Sequence, residues 1–172
     1  MTVHAMDNYQ QFFVDTIPYL RRYARAYSGD AARGDALVYR AIECAHSLVN
    51  FLQDDTDIAI WLFSILHNIT QDERDDKRNY QDSGILDINS TDMSLLDELS
   101  PDDIDIETAL SYLSPIQKEA FLLVSLERFT YEEASQILDI PIGTLILHLN
   151  SARKFLIQRV LTDDFAELRA VQ

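Results

Sequence analysis

Residues 129–153 read FTYEEASQILDIPIGTLILHLNSAR, and this stretch carries the strongest structural signal in the chain. Thr130 and Glu133 have the spacing of a capping box, in which each side chain bonds the other's backbone at a helix start. Pro141 cannot continue that helix, and a longer helix is predicted from Ile142 to about Val160. A short helix, a tight turn and a longer helix are typical of a helix-turn-helix.

The segment just upstream supplies another helix of the same unit. Residues 114–117 read SPIQ, with Ser114 as the cap, Pro115 at the first helical position and Gln117 completing a capping box. We therefore predict a helix-turn-helix domain over residues 107–161, followed by a tail at 162–172.

The N-terminal half shows three further segments in which apolar residues recur at three- and four-residue steps. They predict helices at about 9–28, 32–51 and 57–77, which form a domain over residues 9–78. Pro18 interrupts the first pattern, so we expect it to break that helix or to open its main part. With 4 Gly, 4 Pro and no Asn-Gly or Asp-Gly dipeptide, the sequence favours an all-α chain of two helical domains.

The segment 79–106 between the two predicted domains is acidic. Positions 79–117 contain nine Asp or Glu residues and no Lys or Arg. Two interpretations of this linker stay open. It is either a solvated connector or it contains a short docking helix built on the apolar clusters at 85–88 and 95–99.

The overall charge restricts the function. The 172 residues contain 29 Asp+Glu and 14 Lys+Arg, a net charge of −15. This disfavours strong non-specific DNA binding, which depends on Lys and Arg neutralising phosphates. The single cysteine, Cys44, excludes a disulfide framework. No apolar run reaches the ~18 residues of a membrane span, and the first ten residues lack a signal-peptide pattern, so we expect no membrane contact and a cytoplasmic location.

Two motifs, in the expected order, resemble those of extracytoplasmic-function sigma factors. The helix-turn-helix, together with LSPIQ at 113–117 and Ala152-Arg153, is similar to region 4 of that family. Residues 61–68, WLFSILHN, resemble the Trp-Leu-x-x-Ile-x-x-Asn signature of region 2. In an active sigma factor these regions bind promoter DNA and core RNA polymerase.

A narrower resemblance covers residues 17–38. The runs IPYLRRYARA at 17–26, Ser28-Gly29 and GDALV at 34–38 are similar to the start of the sigma-like domain of PhyR-type regulators. In that family the domain does not start transcription but binds a small helical anti-sigma protein of the NepR type. The resemblance therefore implies a NepR-type partner. Two alternatives stay open for the receiver domain: either the full-length protein contains one, or this chain is a stand-alone relative of the family.

The functional positions of active sigma factors are altered here. The family's Lys and Arg after Gly-Thr-Val correspond to Ile146 and His148, and an exposed apolar patch in place of cations typically marks a partner site. On the second helix Arg40 replaces an acid, which disfavours a groove built for an acid. Residues 72–78 hold four acids and three bases, a poor groove for single-stranded DNA.

These changes favour a regulatory sigma mimic that sequesters an anti-sigma factor. Its candidate contacts are Tyr19, Arg22, Tyr23, Leu145, Leu147 and His148. The alternative is an active, divergent sigma factor. Its candidate DNA contacts are Thr144, His148, Arg153 and Lys154, and its candidate polymerase face is Leu37, Val38, Tyr39 and Arg40.

No constellation for catalysis or cofactor binding is recognisable. Cys44 and His46 are two residues apart and so point to different sides of a helix. The acidic residues at 54–57 lack the Gly and the later Glu of a calcium-binding loop. We therefore expect no enzymatic activity, no metal and no cofactor.

Overall fold

The chain is helical, as the all-α prediction requires. The computed structural model describes residues 3–53, 55–81 and 106–169, and the side chains of 11–53, 55–75, 106 and 108–159. No strand occurs in these ranges. The helices are α1 Val3–Ser28, α2 Ala31–Leu48, α3 Ile58–Gln81, α4 Ile106–Ser111, α5 Pro115–Phe121, α6 Tyr131–Ile137 and α7 Ile142–Arg169. A 3₁₀ turn at Val49–Phe51 follows α2, and a π-helical turn at Leu122–Leu126 follows α5.

Pro18 lies inside α1, so the expectation that it breaks or opens this helix is wrong. The physical reason is its orientation. Pro18 is exposed, and so is Val14, whose carbonyl loses the backbone donor that Pro18 lacks. Water can reach that carbonyl, so the missing hydrogen bond leaves no buried polar group. Gly29 (φ 66°) then ends the helix, as expected from the sequence.

α1 and α2 approach each other closely at Gly34. A Cβ atom on Gly34 would lie 2.7 Å from the Cα and the N atoms of Arg25, so a glycine is needed at this crossing. Beside it, Arg25 donates from Nε and Nη2 to the carboxylate of Asp35 at 2.9 and 2.7 Å. This hydrogen-bonded pair lowers the pKa of Asp35.

The predicted helix-turn-helix is confirmed. Ser114 and Gln117 form the capping box of α5, and Thr130 and Glu133 form that of α6. Asp139 takes a left-handed conformation, φ 50°, in the turn between α6 and α7. α7 continues to Arg169, beyond the predicted end near Val160, so residues 162–169 of the predicted tail are helical.

The buried apolar side chains of the two domains form one continuous core. The first domain contributes Leu20, Ala24, Leu37, Ala41, Leu62 and Leu66, and the second contributes Leu123, Ala134, Ile137, Leu145, Ala152 and Leu156. Between the domains, α3 continues to Gln81, past its predicted end. Residues 82–105, with both interpretations of the acidic linker, lie outside the described residues.

Candidate functional site

The two domains meet along a seam in which α1 and α3 face α5 and the chain that follows it. At its apolar end, the ring of Phe63 from α3 meets the ring of Phe129 edge-on, with centroids 4.9 Å apart. On its other side Phe63 meets Tyr23 of α1 edge-on at 5.3 Å. Such pairs contribute ~0.5–1.5 kcal/mol each beyond the area they bury. Phe63 therefore ties the second domain to the centre of the first.

A buried carboxylate lies on the same seam. Glu119 of α5 is 0% exposed, and its described partners all come from α3. Oε2 of Glu119 lies 2.9 Å from Nδ1 of His67, and Oε1 accepts a hydrogen bond from the hydroxyl of Thr70 at 3.0 Å. Nη2 of Arg74 lies 3.6 Å from Oε1. We call these four residues the Glu119 cluster; because a buried charge needs such partners, it ties α5 to α3.

The Glu119 cluster also acts on two tyrosines of α1. Burial raises the pKa of Tyr23 well above its usual range, and the negative charge of Glu119 adds to this effect. The same two causes raise the pKa of Tyr27. Lys118, beside Glu119 in α5, donates to the backbone carbonyl of Tyr27 at 3.3 Å. Desolvation lowers the pKa of this lysine, so its contact with α1 is partly shielded from water.

A second ion pair crosses the seam nearer the surface. Arg22 of α1 donates from Nε and Nη2 to the two carboxylate oxygens of Glu127, at 3.0 and 2.7 Å. The side chain of Glu127 is 1% exposed, whereas that of Arg22 is 49% exposed. The guanidinium also lies over the ring of Tyr19, 5.4 Å from its centroid. Arg22 thus closes the outer edge of the seam.

A cavity of about 290 Å³ opens beside this ion pair. Its lining combines Asp15, Thr16, Tyr19, Ala59 and Phe63 from the first domain with Glu127 and Phe129 from the second. The volume is at the lower end of the ~300–1,000 Å³ range of small-molecule pockets. Since its walls are mostly apolar and come from both domains, it suits a bulky apolar side chain of a protein partner.

The structure separates the predicted anti-sigma contacts into surface and core residues. Tyr19 and Arg22 are exposed and meet at the seam. Tyr23 and Leu145 are buried in the core, so they offer a partner almost no surface in this arrangement, and their predicted contact stays a prediction. On α1 and α7 the neighbouring exposed residues face outward, whereas Tyr23 and Leu145 face inward and fill the core.

α7 presents an exposed apolar residue between the two positions, Ile146 and His148, where active sigma factors carry cations. Leu147 is 68% exposed, while His148 is half-buried. Among the candidate DNA contacts, Lys154 is exposed, and Thr144 and Arg153 are half-buried. Nη1 of Arg153 lies 3.5 Å from the hydroxyl of Tyr131. The first basic residue of α7 is therefore Arg153, three turns from the start of the helix.

Only two of the four residues of the candidate polymerase face on α2 are exposed. Leu37 and Val38 are buried in the core, which excludes them as direct contacts in this arrangement, whereas Tyr39 is 65% exposed. Arg40 is exposed and forms an ion pair with Glu73 of α3. Arg33 lies 3.5 Å from the same carboxylate. The charge reversal at Arg40 is thus partly neutralised within the chain.

Sequence reasoning missed the residues that join the two domains. Glu119 lies in a capped helix with a charged neighbour, a pattern that is typical of a solvated face. His67 appeared only as part of the WLFSILHN stretch that resembles region 2. The available signal was the helical spacing of His67, Thr70 and Arg74, which places three polar side chains on one face of α3.

Two features are not found in the part of the chain that the structure describes. Within residues 3–53, 55–81 and 106–169, no three His, Cys, Asp or Glu side chains are grouped so as to hold a metal ion. No helix in the same ranges is both long and apolar enough to cross a membrane.

Comparison with known proteins places both domains. Residues 13–67 match the family described as the Sigma2 domain of PhyR, and residues 103–156 match sigma-70 region 4. The first range lies within the predicted domain 9–78, and the second begins four residues before the predicted domain 107–161.

Two relatives and one solved structure are similar to most of this chain. The chain is 28% identical over 148 residues to the ECF RNA polymerase sigma factor EcfG of Rhodopseudomonas palustris, covering 86% of this chain and 82% of that one. It is 30% identical over 133 residues to the phyllosphere-induced regulator PhyR of Methylorubrum extorquens, covering 77% of this chain but 43% of that protein. The structure is similar to the sigma factor RpoE of Bartonella quintana, solved in complex with the anti-sigma factor NepR. That match has a TM-score of 0.71 and 27% identity, and it covers 91% of this chain and 98% of that one. The chain is therefore sigma-factor-like in both domains: one stretch matches the Sigma2 domain of PhyR, another matches sigma-70 region 4, and the similar proteins are sigma factors and a PhyR regulator.

Proposed function

We propose that the chain is a sigma mimic that binds and sequesters a NepR-type anti-sigma factor. The observation that carries this proposal is the surface of α7. Residues 142–152 contain no Lys or Arg, and Leu147, which lies between the two positions that carry cations in the family, Ile146 and His148, is 68% exposed. Base readout in the major groove needs side chains such as Arg and Lys. An exposed leucine is better suited to a protein helix.

The seam offers a second contact for the same partner. Tyr19 and Arg22 border a cavity that both domains line. An amphipathic helix that places apolar anchors in such a groove is a recurrent form of recognition. The Bartonella sigma factor that resembles this chain was solved with NepR bound, which supports an anti-sigma partner for this fold. The net charge of −15 would attract a basic helix and accelerate its association.

Core polymerase binding is disfavoured by the second helix. Arg40 occupies an acidic position of the family, and its pairing with Glu73 reduces the net positive charge without restoring an acid. A partner groove built for an acid then gains no favourable charge from this face. The expected cytoplasmic location belongs to the same proposal, because anti-sigma factors and their competitors must share a compartment with polymerase.

The active sigma factor stays as a second candidate because of one observation. The match to the Bartonella sigma factor covers 98% of that chain, and Arg153 and Lys154 lie on the predicted DNA-binding helix. In this reading α7 binds phosphates through its second half, and the chain binds core polymerase.

Size-exclusion chromatography at near-physiological salt separates the two candidates. The purified chain is mixed either with a NepR-type anti-sigma protein or with core RNA polymerase. Under the proposed function it co-elutes with the anti-sigma protein and not with polymerase. A stoichiometric polymerase complex would establish the sigma factor instead.

A pair of matched variants locates the contact. Leu147→Asp on α7 should weaken anti-sigma binding at least tenfold, because a charge would replace an apolar anchor in the contact. Leu48→Asp makes the same change on an exposed position of α2 and should leave binding unchanged. Equal affinities for the wild type and Leu147→Asp would remove α7 from the proposed interface.

A further inference from the structure

We infer that Glu119 is a positioning residue, which holds the two domains in the arrangement that creates the seam cavity. Tyr19, Ala59 and Phe63 of the first domain face Glu127 and Phe129 of the second across this cavity. Because neither domain has the complete lining, the cavity exists only while the domains are closed on each other. Whatever aligns the domains also sets the shape that a partner meets.

The Glu119 cluster is suited to alignment because its interactions cross the seam. The carboxylate lies on α5, and His67, Thr70 and Arg74 lie on α3, with the two hydrogen-bonding contacts at 2.9 and 3.0 Å. Opening the seam returns all these groups to water, so the cluster adds little net stability. A shifted but still closed seam would bury the same groups without partners, which is costly. The cluster therefore selects one alignment over its neighbours.

Arg74 is the least satisfied member of the Glu119 cluster. Its Nε and Nη2 atoms are buried and have no hydrogen-bond partner among the described residues. Nη2 lies 3.6 Å from Oε1 of Glu119, which is an ion pair beyond hydrogen-bonding distance. The closed seam thus satisfies Glu119 through His67 and Thr70 but leaves part of the guanidinium without a partner. Loss of the Glu119 carboxylate would leave the buried part of the guanidinium without its ion-pair partner as well, which disfavours the closed arrangement.

The effect of closure on affinity rests on the proposed function, whereas the effect on domain arrangement does not. If a variant lowers the closed fraction from nearly one to ~0.1, the apparent Kd for a partner that needs the closed form rises about tenfold. The two effects are measured separately, by small-angle X-ray scattering of the chain alone and by titration with the NepR-type protein.

Glu119→Leu is the decisive variant. We expect it to keep its helical circular dichroism, to show a larger radius of gyration than the wild type, and to bind the anti-sigma protein about tenfold more weakly. Glu119→Gln should recover most of the closure, since an amide can still accept from Thr70 and donate to His67. Glu132→Leu removes an exposed glutamate from the same domain and should change neither measurement.

An unchanged radius of gyration and an unchanged affinity for Glu119→Leu would overturn the inference. If that variant does not fold, Thr70→Val decides, because it removes the hydroxyl that contacts Oε1 of Glu119 across the seam as well as the carbonyl of His67 within α3. It should shift both measurements in the same direction by less, and identity with the wild type would again overturn the inference. If the wild type itself does not bind the anti-sigma protein, the proposed function fails and scattering alone decides the role of Glu119.

Discussion

Arg22 and Glu127 are 105 residues apart in the chain, yet they form a two-point ion pair across the domain seam. The hydrogen bond to Glu127 is the main cause that raises the pKa of Arg22. Because the carboxylate is buried, Arg22→Gln would leave it without its charged partner. Half of the arginine is in solvent, which reduces the effect, so we expect a loss of about 1–2 kcal/mol in the free energy of unfolding.

Urea denaturation measures this loss, with Arg21→Gln as the matched control. Arg21 is the preceding residue, is more than half exposed, and lies 3.7 Å from Asp35. Exposed pairs of this kind contribute little, so the control should stay within about 0.5 kcal/mol of the wild type. Equal losses for the two variants would show that the Arg22–Glu127 pair does not hold the seam.

Two glycines should respond in opposite ways to alanine. Gly34→Ala would place a Cβ atom 2.7 Å from the backbone of Arg25, so α1 and α2 must move apart, at a cost of about 1–3 kcal/mol or more. Gly143, in the first turn of α7, has no atom within 4 Å of such a Cβ. Gly143→Ala should gain about 0.5–1 kcal/mol from the lower flexibility of the unfolded chain. Thermal unfolding of both variants tests this, and a stable Gly34→Ala protein would contradict the described crossing.

Asp139 should be replaceable by glycine with a gain in stability. It adopts φ 50° in the helix-turn-helix turn, a left-handed conformation that costs a non-glycine residue roughly 1–2 kcal/mol, and less for Asp. We expect Asp139→Gly to raise the melting temperature and Asp139→Ala to lower it. The reverse order would mean that the aspartate side chain stabilises the turn more than its backbone strain costs.

Tyr23 should make the chain sensitive to alkaline pH. Its pKa is raised well above the usual value because the phenol is buried, whereas in the unfolded chain it titrates near ~10. This contribution to stability is complete below about pH 10 and is lost as the pH rises through the folded-state pKa. The wild type should therefore lose stability relative to Tyr23→Phe between about pH 10 and 12. If the denaturant midpoints of the wild type and Tyr23→Phe change equally with pH over this range, the burial of an ionisable phenol is contradicted.

Restoring the family's cations on α7 should restore DNA binding. Ile146→Lys combined with His148→Arg adds two cations that can reach phosphates. Each phosphate contact changes the slope of log K against log salt by about −0.9, so we expect a slope about 1.8 steeper on duplex DNA. Ser47→Lys with Leu48→Lys adds the same number of cations on α2 and controls for net charge. Equal DNA affinity of both double variants would place the DNA surface elsewhere.

The sequence predicted those parts of the fold that depend on local chemistry. Both capping boxes, at Ser114 and Thr130, are where their spacing indicated, because a cap needs only residues three apart. Pro18 was misjudged because its cost depends on whether the carbonyl one turn earlier reaches water, which is a property of the folded surface. The end of α7 was placed too early for a similar reason, since no capping signal marks the residues after Val160.

The candidate site was harder to predict because it is made from distant residues. Tyr19 and Arg22 were identified from a resemblance, but their neighbours Glu127 and Phe129 are more than 100 residues away. Glu119 resembles a surface residue in every local respect, and only the packing of α5 on α3 makes it a buried charge. Polar groups that pair over a long sequence separation produce no periodic pattern in a single sequence, so they cannot be predicted from it.

The π-helical turn at Leu122–Leu126 determines the directions in which Glu119 and Glu127, the two buried acids of the seam, project from the chain. The backbone N–H of Glu127 reaches back five residues to the carbonyl of Leu122 at 3.0 Å, one residue further than in an α-helix. This wider turn lets Glu119 and Glu127, eight residues apart, both face the first domain. The spacing between Glu119 and Glu127 therefore determines whether both carboxylates reach their partners on the first domain. A single insertion or deletion between them would disrupt these contacts more than most substitutions.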